Sequence, residues 1–217
     1  MARHTNVPHG TRLIAGAAVL AAVLSTATTA GAAAPGDQPP TPTPTMVAVK
    51  AEFVPASAAP EAEAVTYDTK LVPEGSRVQV MEMAHGKGMM HDNDMPDNEA
   101  TRVLLRVNDL VANRAYGAHV HTGPCGERPD SSGPHYQNEQ DPEKPSVDSR
   151  YANPENEVWL DFTTDENGTG KAAARVDRQF REGGARSVVI HESATATQDG
   201  RAGIAGDRVA CVNVPFE

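Results

Sequence analysis

The chain has 217 residues, 19 Lys+Arg against 29 Asp+Glu, and a formal charge of −10. That acidity argues against a nucleic-acid partner, which asks for a basic footprint, and gives no reason to expect an anionic membrane surface as a partner. Only two cysteines and one tryptophan are present, and the length suits one ordinary domain plus a tail.

Residues 1–32 read as an export leader. Arg3 and Arg12 supply its positive start, Leu13 to Leu24 is an apolar run, and Ala30-Gly31-Ala32 is a small-residue cleavage site. The run is Ala/Thr-rich and no basic stop-transfer cluster follows, so no stable membrane insertion is expected after cleavage. No cysteine lies at the cleavage site, which argues against a lipid anchor. The leader holds two arginines and no acid, so removing 32 of the 217 residues leaves 185 with a charge of −12. The expected location is extracellular or in the cell envelope. Residues 33–61, rich in Ala, Pro and Thr, read as a flexible or extended tether, with a stray strand conceivable over Val47–Phe53.

The ordered domain is expected over 62–217. Short alternating or β-branched runs follow one another: Ala64–Val72, Ser76–Met83, Thr101–Leu110 and Ala115–His121. After a long loop come Glu157–Thr164, Thr169–Asp177, Ala185–Glu192 and Arg208–Phe216. Lys171–Phe180 has some helical propensity, but the turn Asn167-Gly168 before it favours a hairpin. No segment sustains a 3.6-residue apolar repeat. The predicted class is all-β: an eight-stranded Greek-key sandwich or flattened barrel with long loops.

Six histidines lie beyond the leader: His85, His91, His119, His121, His135 and His191. On a strand, His119 and His121 face the same side and can converge on a metal. Alone, that pair is as readily a solvated face. His135 sits in a loop and His191 ends the apolar run Ser187–Ile190. Four such imidazoles suit copper or zinc, and tetragonal nitrogen coordination favours Cu(II). Cys125 and Cys211, both in the exported part, read as one disulfide.

Four segments in order, "GAHVH" (Gly117–His121), "GPH" (Gly133–His135), "VVIHE" (Val188–Glu192) and "GDRVAC" (Gly206–Cys211), resemble the signature segments of copper–zinc superoxide dismutases. The resemblance covers roughly 64–214. It implies that His119, His121 and His191 are copper ligands and that His135 is the residue bridging copper and zinc where zinc is present. It implies that Arg208 holds the incoming superoxide anion and that Cys125–Cys211 fixes the loop beside the metal. His135 and Arg208 are then the residues nearest the chemistry.

Departures from the family bear on the metal. Zinc-bearing members carry two further histidines and an aspartate after the bridging His. Tyr136–Glu157 here has no histidine and only Glu139, Asp141, Glu143, Asp148, Glu155 and Glu157 as acids, which argues against zinc and for a copper-only member. Without zinc, an acid should orient His135 through its other nitrogen, with Asp148 and Glu157 the first candidates. The loop from His191 to Arg208 is short and poor in acids, and Val212 stands where the family commonly has glycine. Together these suggest an open site less guarded by charge, with Arg201 adding to the field.

Between two predicted strands, residues 81–95 ("MEMAHGKGMMHDNDM") form a methionine-rich insert. Met83, His85, Met89, Met90, His91 and Met95 suggest an accessory Cu(I)-loading loop, since thioethers select Cu(I). An adaptable contact surface is the other reading. The leading function is a secreted copper-dependent superoxide dismutase without zinc. The alternative is a copper-binding or buffering envelope protein on the same fold, and a metal-free interaction module is the third.

Overall fold

A computed structural model of the chain describes residues 45–59, 61–85 and 100–217, with His85 described by its backbone alone. The proposed leader, the first part of the tether and the insert residues Met89, Met90, His91 and Met95 lie outside the described residues, as does the His85 side chain.

Ten strand segments follow in order: β1 Thr45–Glu52, β2 Val54–Pro55, β3 Ala64–Thr66, β4 Arg77–His85, β5 Ala100–Asn108, β6 Ala115–His121, β7 Phe162–Thr163, β8 Gly170–Val176, β9 Ser187–His191 and β10 Arg208–Asn213. They form a four-stranded sheet, β1-β4-β5-β8, and a six-stranded sheet, β2-β3-β10-β9-β6-β7. Every ladder is antiparallel except the short β2–β3 pair. The chain crosses between sheets after β1, β3, β5, β7 and β8, and β8 returns to lie beside β5. This non-sequential return makes the all-β sandwich of Greek-key type that the strand pattern predicts.

The core lies between the sheets and follows from strand parity. Val78 and Val80 on β4 and Val103, Leu105 and Val107 on β5 point inward from the four-stranded sheet. Tyr116, Ala118 and Val120 on β6, with Val188 and Ile190 on β9, meet them from the other. The six-stranded sheet is covered on its second face as well. There Val65, Val189, Cys211 and Cys125 form a smaller apolar cluster, and all five residues of β9 are buried. A strand buried on both faces reads as a continuous apolar run, which is why "SVVI" does not alternate.

Four local expectations need correction. Thr45–Glu52, assigned by composition to the tether with only a stray strand conceivable over Val47–Phe53, is a full edge strand paired along β4 from Thr45↔Ala84 to Glu52↔Arg77. Alternation of Val47, Val49 and Ala51 carries it into the sheet despite the Pro-rich stretch before it. Only Ala64–Thr66 of the run 64–72 is strand, because Asp68 accepts the backbone N–H groups of Lys70 and Leu71 through Oδ1 and that of Val72 through its carbonyl. Asn167-Gly168 makes no hairpin: β7 pairs with β6 and β8 with β5, and the turn carries the chain between sheets. Gly168 there has φ +72°, and a Cβ would stand 2.1 Å from the Leu110 carbonyl oxygen. Residues 158–160 bond to β6 only at isolated points, Val120 N–H to the Val158 carbonyl and Leu160 N–H to the Ala118 carbonyl.

One inward residue of β4 is acidic. Glu82 is 1% exposed; its Oε2 accepts the Glu217 N–H at 3.1 Å and its Oε1 has no partner. Burial pushes its carboxyl up from 4.5 to about 7, with the Glu217 N–H pulling the other way and the charge of Glu217 adding to the rise. The native state then keeps a proton that the unfolded chain releases, so stability falls as pH rises from about 4.5 through about 7. Glu82→Gln should flatten that fall. Urea midpoints compared near pH 5 and near pH 8 should show the variant losing less than the wild type, by about 2 kcal/mol.

Candidate metal centre

His119 and His121 stand on the face of β6 turned away from the core, where loops cover them. His191 ends β9 and is the register partner of Gly117, which places it beside His119 on the same face. A Cβ on Gly117 would lie 2.7 Å from both the Ala205 Cβ and the Ser193 carbonyl oxygen, so only glycine lets the 192–207 loop approach here. His135 comes from the loop after β6. It is bridged to His121 by backbone pairing, and Tyr136 N–H donates to the Val120 carbonyl at 2.8 Å.

Side chains of His119, His121, His135 and His191 converge, with one ring nitrogen of each within 4.8 Å of those of the others. His119 and His121 are fully buried, His191 is 5% exposed, and the His135 side chain is 19% exposed. The outward nitrogens are all engaged. His121 Nδ1 bonds to the Gly133 carbonyl at 2.9 Å and His191 Nδ1 to the Gly206 carbonyl at 3.3 Å. A carbonyl only accepts, so each Nδ1 carries the proton. His135 Nδ1 donates to Glu157 Oε2 at 2.8 Å. His119 Nε2 bonds to Thr195 Oγ1 at 2.7 Å, and that hydroxyl donates onward to Asp161 Oδ1, also at 2.7 Å, leaving its oxygen to accept from the ring. What remains is one lone pair on each ring, aimed inward: Nδ1 of His119 and Nε2 of the other three. His119 Nδ1 is buried with no partner, and His121 and His191 bring their Nε2 atoms to 3.4 Å.

Burial first, then the neighbouring imidazoles and Arg208, lowers His119 and His121 well below the ordinary histidine value. His191 falls to about 3 for the same leading reasons. Neutral imidazoles packed against one another are metal donors rather than cations.

Glu157, 1% exposed, is the acid that orients His135. Trp159 Nε1 donates to its Oε2 at 2.6 Å and Gln137 Nε2 to its Oε1 at 2.8 Å. Gln137 also donates to Ser146 Oγ, which donates to Asp141 Oδ2, each at 2.8 Å. Asp148 takes no part: it pairs with Arg150 on the surface. A cleft of about 260 Å³ opens over the exposed edge of His135, with Lys144, Pro145, Ile204 and Arg208 in its lining. Arg208 makes no ion pair with Asp207. Its Nη1 donates to the Pro129 carbonyl and to Ser132 Oγ, both at 2.9 Å. Arg201 is exposed and outside that lining. Cys125 and Cys211 are joined as the sequence suggests, 86 residues apart, and Cys125 N–H donates to Asn213 Oδ1 at 2.8 Å.

Met83 is not brought to this centre. It lies on β4, opposite Met46 and Arg102, on the outward face of the other sheet. Thr195, Asp161, Trp159, Gln137 and Lys144 escape the sequence reading. Asp161 and Trp159 alternate with Leu160 and Phe162 in "VWLDF", so parity is the one signal that sets them on a face opposite the core.

A family model described as copper/zinc superoxide dismutase matches residues 86–214. Among similar solved structures is a double mutant of a SOD-like protein from Bacillus subtilis, 14% identical, spanning 79% of this chain and 96% of that one, with a TM-score of 0.42. No curated protein matches.

Glu157→Ala should weaken copper binding about 10- to 100-fold in competition with a chromophoric chelator, while Asp148→Ala leaves it unchanged. Replacing Cys125 and Cys211 together by serine should cost up to about 4–5 kcal/mol in a denaturant titration.

Proposed function

The chain belongs to the copper/zinc superoxide dismutase family, and on that premise we propose that it is a secreted, copper-dependent superoxide dismutase that works without zinc. The observation that carries this reading is the convergence of one ring nitrogen from each of four imidazoles, one of them the buried, partnerless Nδ1 of His119. An all-nitrogen donor set of this kind fits copper. His119, His121, His135 and His191 would hold it. When bound, copper supplies the electron acceptor and donor for converting two superoxide anions and two protons into O2 and H2O2.

The remaining roles belong to the chain's own side chains. Arg208 is tied to Pro129 and Ser132 at the mouth of the cleft, where a fixed cation holds a small anion beside His135. Lys144 adds a second cation to the same lining. Glu157 keeps the proton of His135 on Nδ1, so Nε2 faces the centre and is the atom at which this ring takes up or releases a proton. Loops 122–134 and 192–207 keep three of the rings from solvent.

The zinc-free part of the proposal rests on Glu157. A zinc bound at His135 would need the Nδ1 lone pair and further N, S or O donors. Here Nδ1 donates to Glu157, and both oxygens of that carboxylate already accept N–H groups from Trp159 and Gln137. Among the described residues, no second group of three His, Cys, Asp or Glu side chains gathers. Secretion is supported by the leader pattern and by a disulfide that suits an oxidising compartment.

The test is dismutation by the purified chain loaded with one equivalent of copper and no zinc. The expected outcome is rapid turnover that Arg208→Ala lowers about tenfold, the loss of one half-exposed charge near the anion, with copper affinity unchanged. Negligible turnover with copper still tightly held would replace this reading by copper buffering on the same fold.

A further inference from the structure

The outward face of the four-stranded sheet contrasts with the chain's net charge of −10. By parity with the buried residues, β1 turns Met46, Ala48, Lys50 and Glu52 outward. Register then lays rows across the strands. One row runs Lys50↔Gln79↔Arg106↔Lys171. Beside it runs an apolar row, Ala48↔Met81↔Leu104↔Ala173. On the other side stand Glu52, Arg77 and Asn108. Apart from Glu52, every charged side chain that the described strands turn to this face is a cation.

Arg106 stands directly opposite Lys171 on the adjacent strand, a like-charge placement that costs stability. Among the described residues, Lys50, Arg106 and Lys171 have no acid within ion-pair reach, whereas Arg77 is paired with Asp109. Two concavities, of about 490 and 430 Å³, meet at Gln79 and Arg106 and so make one shallow groove along the cationic row. It crosses three strand spacings, roughly 14 Å.

We propose that this groove binds a linear acidic polysaccharide. Unpaired cations in a line match carboxylate or sulfate groups repeating along a chain. The amides of Gln79 and Asn108 suit hydroxyls, and Met81, Leu104 and Ala173 offer an apolar strip for the C–H faces of sugar rings. A second copy of this chain docked face to face would oppose cation to cation. A bilayer is flat and would meet only the rims of a groove. The groove lies on the sheet opposite the histidine centre, so the inference stands apart from the redox reading.

The test uses the full chain and polygalacturonate as probe, followed by calorimetric titration. Binding should appear at low salt and weaken as salt is added. Arg106→Glu combined with Lys171→Glu should lower affinity about tenfold or more, with the melting midpoint retained. Gln79→Ala, which leaves every charge in place, should lower affinity several-fold without changing the salt dependence. No binding, or equal binding by the charge-reversed chain, would overturn the proposal. So would inorganic polyphosphate or phosphatidylglycerol vesicles binding as tightly as the glycan through the same two residues, because bare charge would then suffice.

Discussion

Everything at the centre depends on how the outer nitrogen of each imidazole is satisfied. Four rings face one another in a space that is closed to solvent around three of them, and each must still place its outer ring N–H. Gly133, Gly206 and Glu157 take three of them, and Thr195 takes the fourth. A buried donor left unpaired costs about 1–3 kcal/mol. These acceptors therefore set ring orientation and tautomer together, and turn four inward lone pairs into a preorganised donor set. Among them His119 Nδ1 is buried with no hydrogen-bond partner.

Each acceptor belongs to a loop, and each loop is tied to the sandwich by a different device. The 122–134 loop is held by the disulfide and by Asn213 on β10; Arg208, from the same strand, fastens its 3-10 turn Pro129–Ser132. The 192–207 loop is held by Asp161, which accepts both the N–H and the hydroxyl of Thr195. The stretch from His135 to Glu157 has neither helix nor strand, and a chain of side-chain bonds, buried or part-buried, runs through it from Asp141 through Ser146 and Gln137 to Glu157. Long irregular loops are uncommon in compact domains unless they serve a site. Here the polar network gives such a loop its order.

Much of this is legible in the sequence, and the reason differs element by element. Strand parity brings His119 and His121 to one face, because the period of two is local. The eight strands expected of the domain are all present, since β-branched runs bounded by turns are local signals too. By contrast, β1 follows a Pro-rich stretch, and although Val47–Phe53 alternates, its full extent from Thr45 to Glu52 is set by pairing with β4. The choice between Asp148 and Glu157 turns on how a 22-residue stretch folds back, which spacing does not encode: Asp148 finds Arg150 two residues away, while Glu157 is carried under His135. Thr195 and Asp161 meet across 34 residues and belong to no motif.

Net charge misleads most where it is most tempting to use. A chain at −10 should repel superoxide and every other anion at long range, yet salt screens exposed charges beyond about 8–10 Å, and binding is decided within that distance. The cleft above His135 presents Arg208 and Lys144, while the nearest buried acid, Glu157, has both oxygens occupied by N–H donors. On the opposite sheet the same segregation recurs, with cations on the exposed face of the strands and Asp109 and Asp177 at their ends. A fold built from flat strands allows this sorting, because parity sends alternate residues to opposite faces and register lines them up across strands. Where the acids and bases sit within those rows, and not their sum, determines which anions the protein can meet.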